Sequence, residues 1–222
     1  MLSFRNITKR FLKPFFKFWY DKKGSKKRTI TYKKIELKLF PKVFSPLFTL
    51  STKILLKFID GLDIKNKKFL ELGAGSGIIS FFASSEGAYV TASEIAEPAL
   101  DGLYYNNKKL DANITIIESN LFDKLDQVYD IIIINPPYYP KEPKNDEEIA
   151  WFCGSNFEYF NKLFSSIHQV VDSNTQTYMI LSEDCNLDAI KSIADKNGYV
   201  FKLVFQKIKW FEKNFIFKIE NK

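Results

Sequence analysis

The stretch from Phe69 to Ser85 constrains the fold of this chain more than any other. An apolar strand, Phe69 to Leu72, runs into Glu71-Leu72-Gly73-Ala74-Gly75-Ser76-Gly77, and a helical pattern follows from about Gly77 to Ser85. Glycines after a buried strand let the backbone turn sharply and approach a ligand closely. In open α/β sheets, ligands bind beyond the carboxyl ends of the strands. A dinucleotide fold calls for Gly-x-Gly-x-x-Gly. Here the third glycine comes one residue early and Ile78 stands in its place. Glu71, just ahead of the turn, would repel a pyrophosphate, but it suits a ligand with a cationic end. Taken alone, the same glycines also describe an ordinary tight turn.

Strand and helix patterns alternate from Lys68 onward. Tyr89 to Glu94 predicts a second strand, and Pro98 can open the helix after it. Ile114 to Glu118 is a third strand, and Tyr129 to Asn135 a fourth whose isoleucine run suits burial on both faces. A helix over Tyr159 to Val171, a strand over Thr177 to Ser182 and a helix over Leu187 to Asn197, closed by Gly198, come next. Val200 to Phe205 and Phe215 to Ile219 follow one another as strands with no helix between. The pattern predicts a Rossmann-like α/β fold: a seven-stranded, mostly parallel sheet with an antiparallel terminal strand.

Ahead of this core, residues 1–42 hold 14 Lys/Arg against Asp21 and Glu36, a net charge of +12. The whole chain nets +7, so residues 43–222 net −5. Two domains are expected on this basis: a basic arm with a small β-hairpin over 1–42, and the α/β domain over 43–222. Phe4, Ile7, Phe11, Phe15 and Phe18 recur at helical spacing, interrupted near Pro14. Thr29 to Tyr32 and Ile35 to Leu39 read as the hairpin strands, and Ser51 to Ile59 as a helix. No apolar run approaches the roughly 20 residues that span a bilayer, and a cytoplasmic location is expected. His168 with the distant pair Cys153 and Cys185 makes no zinc site, so no metal is expected. His168 is assigned a structural or surface role.

Three further motifs carry chemistry. Glu94 ends the second strand, where a carboxylate can accept ribose hydroxyls, with Ile95 placed against a flat base. Ser119-Asn120-Leu121-Phe122 follows the third strand, and the Asn120 side-chain oxygen can accept a hydrogen bond. Asn135-Pro136-Pro137-Tyr138 follows the fourth, 62 residues after Gly73. An amide or aryl amine nitrogen is a poor nucleophile because its lone pair is delocalised. The Asn135 side-chain oxygen and the Pro136 carbonyl can bind its two N–H groups and aim it at an electrophile. Such positioning supplies several kcal/mol of barrier lowering, and up to about 7–11 kcal/mol in ideal cases. Tyr138 can pack on the flat substrate group, and two prolines stiffen the corner.

Together these motifs resemble class I S-adenosylmethionine (SAM)-dependent methyltransferases with an Asn-Pro-Pro-Tyr signature. The HemK-like enzymes that methylate a glutamine amide in peptide-chain release factors are the group most resembled. The likeness spans roughly Phe44 to Ile219. It implies SAM as cofactor, bound by Glu71, Gly73, Gly75, Gly77, Glu94, Ile95, Asn120, Leu121 and Asn135, with Asn135, Pro136 and Tyr138 at the reaction centre. Many family members carry Asp where Asn120 stands, in contact with the adenine amino group. Phe44 to Thr52 is similar to a segment that closes the cofactor pocket, and Trp151-Phe152-Cys153-Gly154 to one flanking the substrate. HemK-like enzymes usually carry a separate N-terminal helical domain, and the residues before Lys68 are too few to hold it and the hairpin too.

Three functions are therefore expected in order. The first is an N-methyltransferase acting on a protein glutamine, with a release factor as a candidate partner. The second is one acting on an exocyclic amine of RNA or DNA, which the basic arm with Trp19 and Tyr20 suits. The third is a non-catalytic partner-binding subunit of the same fold. A dehydrogenase is disfavoured by the glycine spacing. The sequence leaves oligomeric state open.

Overall fold

The computed structural model describes residues 28–43, 50–209 and 212–222. The helical pattern over Phe4 to Phe18 and most of Phe44 to Thr52 lie outside the described residues. A hairpin opens the described chain: β1 (Arg28–Tyr32) and β2 (Ile35–Leu39), paired antiparallel with Arg28 opposite Leu39. Helix α1 (Leu50–Ile59) follows, and then the large sheet begins.

That sheet has seven strands: β3 (Lys68–Leu72), β4 (Tyr89–Glu94), β5 (Thr115–Glu118), β6 (Ile131–Ile134), β7 (Gln176–Ser182), β8 (Tyr199–Lys209) and β9 (Glu212–Asn221). Their order is β5-β4-β3-β6-β7-β9-β8. The first five run parallel, and β9 inserts antiparallel between β7 and β8. The expected mostly parallel sheet with an antiparallel strand at the end of the chain is thus present. The helices are α2 (Ile78–Ser85), α3 (Glu97–Leu110), the short α4 (Asp146–Ile149), α5 (Glu158–Ser166) and α6 (Leu187–Lys196). All four residues of β6 are buried, as a strand at the centre of a doubly covered sheet requires.

Register matters most for function. Leu72 pairs with Ser93 on one side and with Ile134 on the other. Gly73, Glu94 and Asn135 are the next residues on their strands. Three motifs far apart in sequence therefore stand in one row along the carboxyl edge. Strands lie about 4.8 Å apart, so Glu94 and Asn135 are separated by roughly 10 Å of sheet edge.

Helix α2 is apolar nearly all round, and Ile78, Ile79, Phe81, Phe82 and Ala83 are all buried. A helix of that kind needs cover on both sides. The sheet supplies one side, and the hairpin's Ile30, Ile35, Leu37 and Leu39 belong to the same apolar cluster on the other. Fully burying such side chains contributes roughly 1.5–3 kcal/mol each. Asn106 of α3 fixes the hairpin further. Its amide donates to the Lys38 carbonyl (2.9 Å) and accepts from the Lys38 N–H (2.8 Å), completing the strand edge of β2. At the turn, Lys33 pairs with Asp60 at 2.6 Å and lies over the Phe82 ring. The composition changes near residue 42, but the packing is continuous across it.

Some helix and strand boundaries differ from expectation. The helix expected to reach Val171 ends at Ser166 and passes into a 3-10 turn, Ile167–Gln169. The Ser165 and Ser166 hydroxyls donate back to the Lys162 carbonyl and compete with helix propagation. Strands β8 and β9 run well past their expected ends, because long antiparallel partners sustain each other through residues too polar to read as a strand. His168 sits exposed on the 3-10 turn. Among the described residues, no helix is long and apolar enough to cross a membrane.

Candidate active site

The glycine loop is tied down from beneath. The Gly73 and Ala74 N–H groups both donate to the Ser93 carbonyl at 2.9 Å, and Gly77 N–H donates to the Ala74 carbonyl. The three glycines do two different jobs. Gly77, with φ of 75°, begins α2 against α3, and a methyl added there would lie 2.4 Å from Leu103 Cδ2 and 2.8 Å from Phe81 Cε2. It is glycine because the helix packs closely. Gly73 and Gly75 also have positive φ, 70° and 52°, but a methyl at either meets nothing within 4 Å. They leave open space above the loop, on the side where a ligand would sit.

Glu94 faces that space from β4. One carboxylate oxygen accepts the Gly75 N–H at 2.7 Å, and the other accepts Ile95 N–H at 2.7 Å and Ala96 N–H at 3.0 Å. This carboxylate joins the glycine loop to the turn after β4. Ile95 beside it is 42% exposed, an uncovered apolar side chain suited to the face of a planar base. Leu121 is buried with φ of 57°. Its carbonyl accepts the Ser93 hydroxyl at 3.4 Å, while Asn120 is exposed beside it. A left-handed, non-glycine residue costs about 1–2 kcal/mol, and strain of this kind gathers at ligand sites.

Glu71 lies elsewhere than expected. It is buried under the loop, and both of its hydrogen-bond donors come from Ser80: the backbone N–H at 2.7 Å and the hydroxyl. Burial pushes its carboxyl up to about 8, and the nearby Glu94 charge adds to this. Glu71 anchors the first turn of α2 and holds the loop from below, with no hydrogen bond directed into the open space.

At the third position of the row, the Asn135 side-chain amide is half-buried and makes no hydrogen bond with any described residue. The carbonyl of buried Pro136 is equally without a partner among them. Unsatisfied polar groups off the surface are uncommon and call for a reason. The loop that carries them is held firmly. Tyr139 N–H donates to the Trp151 carbonyl, Cys153 N–H to the Tyr139 carbonyl, and Gly154 N–H to the Lys141 carbonyl. These bonds lay Trp151 to Gly154 along the loop that follows the corner. Gly154 has a φ of 85°, which L side chains rarely adopt, and a methyl there would displace the Glu158 carboxylate. The Tyr138 ring packs against Tyr139, with centroids 4.8 Å apart. Burial keeps the Tyr138 hydroxyl well above its ordinary pKa, so it remains a neutral phenol. Cys153 and Cys185 are both free thiols, buried in the cluster beneath the corner. Burial raises them to about 11 and about 12, which leaves them unreactive.

The sequence-expected residues are thus brought together, except that Glu71 turns inward. Sequence reasoning missed Ser80 and Ser93, which hold the loop in place. Small hydroxyl residues inside apolar segments were the only signal available for those two.

The residues present fit SAM. There is a loop with clear space above it, a carboxylate at the ribose position, an apolar platform beside it, and a polar corner roughly 10 Å along the same edge.

Comparison with known proteins places these features. A protein of Methanocaldococcus jannaschii described as a protein N5-glutamine methyltransferase is 36% identical over 125 residues, 56% of this chain and 60% of that protein. A release factor glutamine methyltransferase of Fusobacterium nucleatum is 41% identical over 86 residues, 36% of this chain and 24% of that protein. The chain therefore spans less than two thirds of the length of either relative. Among solved structures, the Thermus thermophilus 16S rRNA N2 G1207 methyltransferase, in complex with AdoMet and guanosine, shares the fold. Its TM-score is 0.61 at 16% identity, covering 87% of this chain and 50% of that one. The methyltransferase small domain model matches residues 34–199, from the hairpin to the start of β8. With glycine loop, carboxylate and polar corner set in one row, the chain belongs to the methyltransferase small domain family, whose enzymes are SAM-dependent.

Proposed function

We propose that this protein methylates a planar amino or amide nitrogen, with a protein glutamine side chain as the leading substrate. The observation that carries the proposal is a pair of acceptors with no partner among the described residues, the Asn135 amide oxygen and the Pro136 carbonyl. They match the two N–H groups of one –NH2. SAM, when bound, supplies an electrophilic methyl group. The chain's own contribution is to hold the nitrogen, through two hydrogen bonds, in the orientation that frees its lone pair. Asn135 takes no proton. The N–H becomes acidic as the new bond forms, so no strong base is needed, and the neutral Tyr138 is not one. Tyr138 covers the flat group and keeps water off the corner.

A peptide substrate is favoured by the charges beside the corner. Burial chiefly raises the Tyr138 and Tyr139 hydroxyls, and carboxylates add to it, Glu212 at both and Asp184 at Tyr139. Carboxylates there repel a phosphate backbone and tolerate a neutral amide. The relatives named for glutamine methylation support the same choice. The test is incubation with methyl-labelled SAM and fractionated cell extract. Label is expected in protein, and label confined to nucleic acid would reverse the order of substrates.

One observation favours that second substrate, an exocyclic base amine. The hairpin lies along α3 with Glu36 at Lys109, Lys38 at Asn106 and Phe40 at Gly102. β2 thus runs toward Ile95 and the carboxyl edge. Arg28 pairs with Leu39 at that end of the hairpin, and residues 1–27 before it hold nine Lys/Arg against Asp21, a net charge of +8. Deleting residues 1–27 is expected to weaken a nucleic-acid substrate in a salt-dependent way, and to leave a peptide substrate unaffected.

A further inference from the structure

We infer that the outer edge of β8 is a docking site for an extended segment of a partner protein, one that alternates acidic with aliphatic residues and adds to the sheet as a further strand.

β8 stands last in the strand order, and among the described residues no strand pairs with its outer edge. It is 11 residues long and contains no proline. The bulge at Val204 bends it but leaves five paired residues on each side. Four of the nine exposed large apolar side chains among the described residues lie on this one strand: Val200, Leu203, Val204 and Ile208, the last 68% exposed. Scattered singly, such side chains need no explanation. Gathered on a long open edge, they mark a place for another strand.

The register says what that strand must carry. Lys202 stands opposite Lys218 and Lys207 opposite Asn214, on the face of Phe205, whose ring lies 6.2 Å from that of Phe58 in α1. Leu203 stands opposite Phe217 and Ile208 opposite Lys213, on the face of Phe201, which packs edge-on against Phe164 of α5 at 5.8 Å. Side chains alternate between the faces of a strand. A strand laid along β8 therefore meets lysines on one face and aliphatic side chains on the other. Opposite charges across a strand pair attract and like charges repel. The carboxylates of β9 leave that lysine face short of negative charge. Glu220 is held by Lys218 at 2.9 Å and lies 4.0 Å from Lys202, while Glu212 takes the Asn214 amide at 3.2 Å. Lys207 has no ion-pair partner among the described residues.

A second copy of this chain fits the edge less well. Antiparallel pairing of two β8 strands, like face to like face, crowds the lysines of both copies together. An acidic strand neutralises them instead. Three strand spacings, roughly 14 Å of sheet, separate β8 from β6 and its Asn135 corner. A segment bound at β8 leaves the row of motifs open.

The experiment is fluorescence anisotropy with two dye-labelled synthetic peptides, each about nine residues long to match the strand. One alternates Glu with Val, the other Lys with Val, and the full chain is titrated into each. Wild type is expected to bind the acidic peptide roughly tenfold more tightly than the basic one. The double variant Lys202→Glu with Lys207→Glu, verified by thermal melts, is expected to reverse that order, and Lys207→Glu alone to narrow the gap. Amide hydrogen exchange with the acidic peptide bound is expected to gain protection over residues 200–208. Absence of binding, equal affinity for the two peptides, or protection gained elsewhere in the chain would overturn the inference. A wild-type dimer split by Ile208→Lys in analytical ultracentrifugation would give the edge to a second copy and overturn it as well.

Discussion

Alanine at Gly75 and alanine at Gly77 should have opposite consequences, although the two glycines stand two residues apart in one loop. Both have positive φ, 52° and 75°, so either substitution incurs about 1–2 kcal/mol of left-handed strain. At Gly77 the methyl also lands 2.4 Å from Leu103 Cδ2 and 2.8 Å from Phe81, among residues buried to 0% and 2% exposure. Overpacking of that kind costs about 1–3 kcal/mol more. Gly77→Ala should therefore lose about 2–5 kcal/mol of stability. At Gly75 the methyl meets no protein atom, so the stability loss stays near the strain alone, about 1–2 kcal/mol. It does enter the space above the loop. If the cofactor backbone occupies that space, an intrusion costing about 1–3 kcal/mol lowers affinity roughly 5- to 150-fold. Urea denaturation gives the stabilities, and calorimetry with S-adenosylhomocysteine the affinities. Full affinity in Gly75→Ala, or a Gly77→Ala no less stable than Gly75→Ala, would refute this division of roles.

Other outcomes follow from the same geometry. Glu71 has a carboxyl raised to about 8 from an ordinary 4.5, so the folded chain binds an extra proton between those values. Its stabilising contribution is complete below about pH 4.5 and declines as pH rises through about 8. Urea midpoints at pH 5 and pH 8.5 should fall further for wild type than for Glu71→Gln, and parallel declines would contradict the burial argument. Asn106→Ala should cost about 2–4 kcal/mol, because it strands the Lys38 N–H and carbonyl at a part-buried edge. A loss under about 1 kcal/mol by denaturation would detach the hairpin from the core. Asn135→Ala should leave cofactor affinity nearly intact while slowing methyl transfer about a hundredfold or more, the loss expected for one well-placed polar contact. Single-turnover rates with labelled SAM measure it, and an active variant would make the corner merely structural.

The parts of this molecule legible in its sequence are those with local causes. The glycine loop and the Asn-Pro-Pro-Tyr corner each carry their backbone requirement in their own residues. The strand–helix alternation then gives the sheet, and the strands' common register brings the motifs into one row. What could not be read depends on distant partners. The all-round apolarity of α2 hides the fact that one of its covers is a hairpin almost 40 residues earlier in the chain. The charge step near residue 42 suggests a boundary that packing does not respect. Glu71 has the right residue type beside the loop, and only the orientation of α2 turns it toward Ser80. Leu121 gives no hint of its positive φ, which the strand-end contact with Ser93 holds in place.

The most direct test of the central claim is the position of the transferred methyl. Product labelled by the wild-type chain from methyl-labelled SAM and cell extract would be digested and sequenced by tandem mass spectrometry, with Asn135→Ala run in parallel. Two acceptors at Asn135 and Pro136, without partners among the described residues, predict a methyl on the nitrogen of a planar –NH2, a glutamine amide first, and a signal largely lost in the variant. A methyl on oxygen, sulfur or carbon would contradict the account, even with the cofactor bound as described.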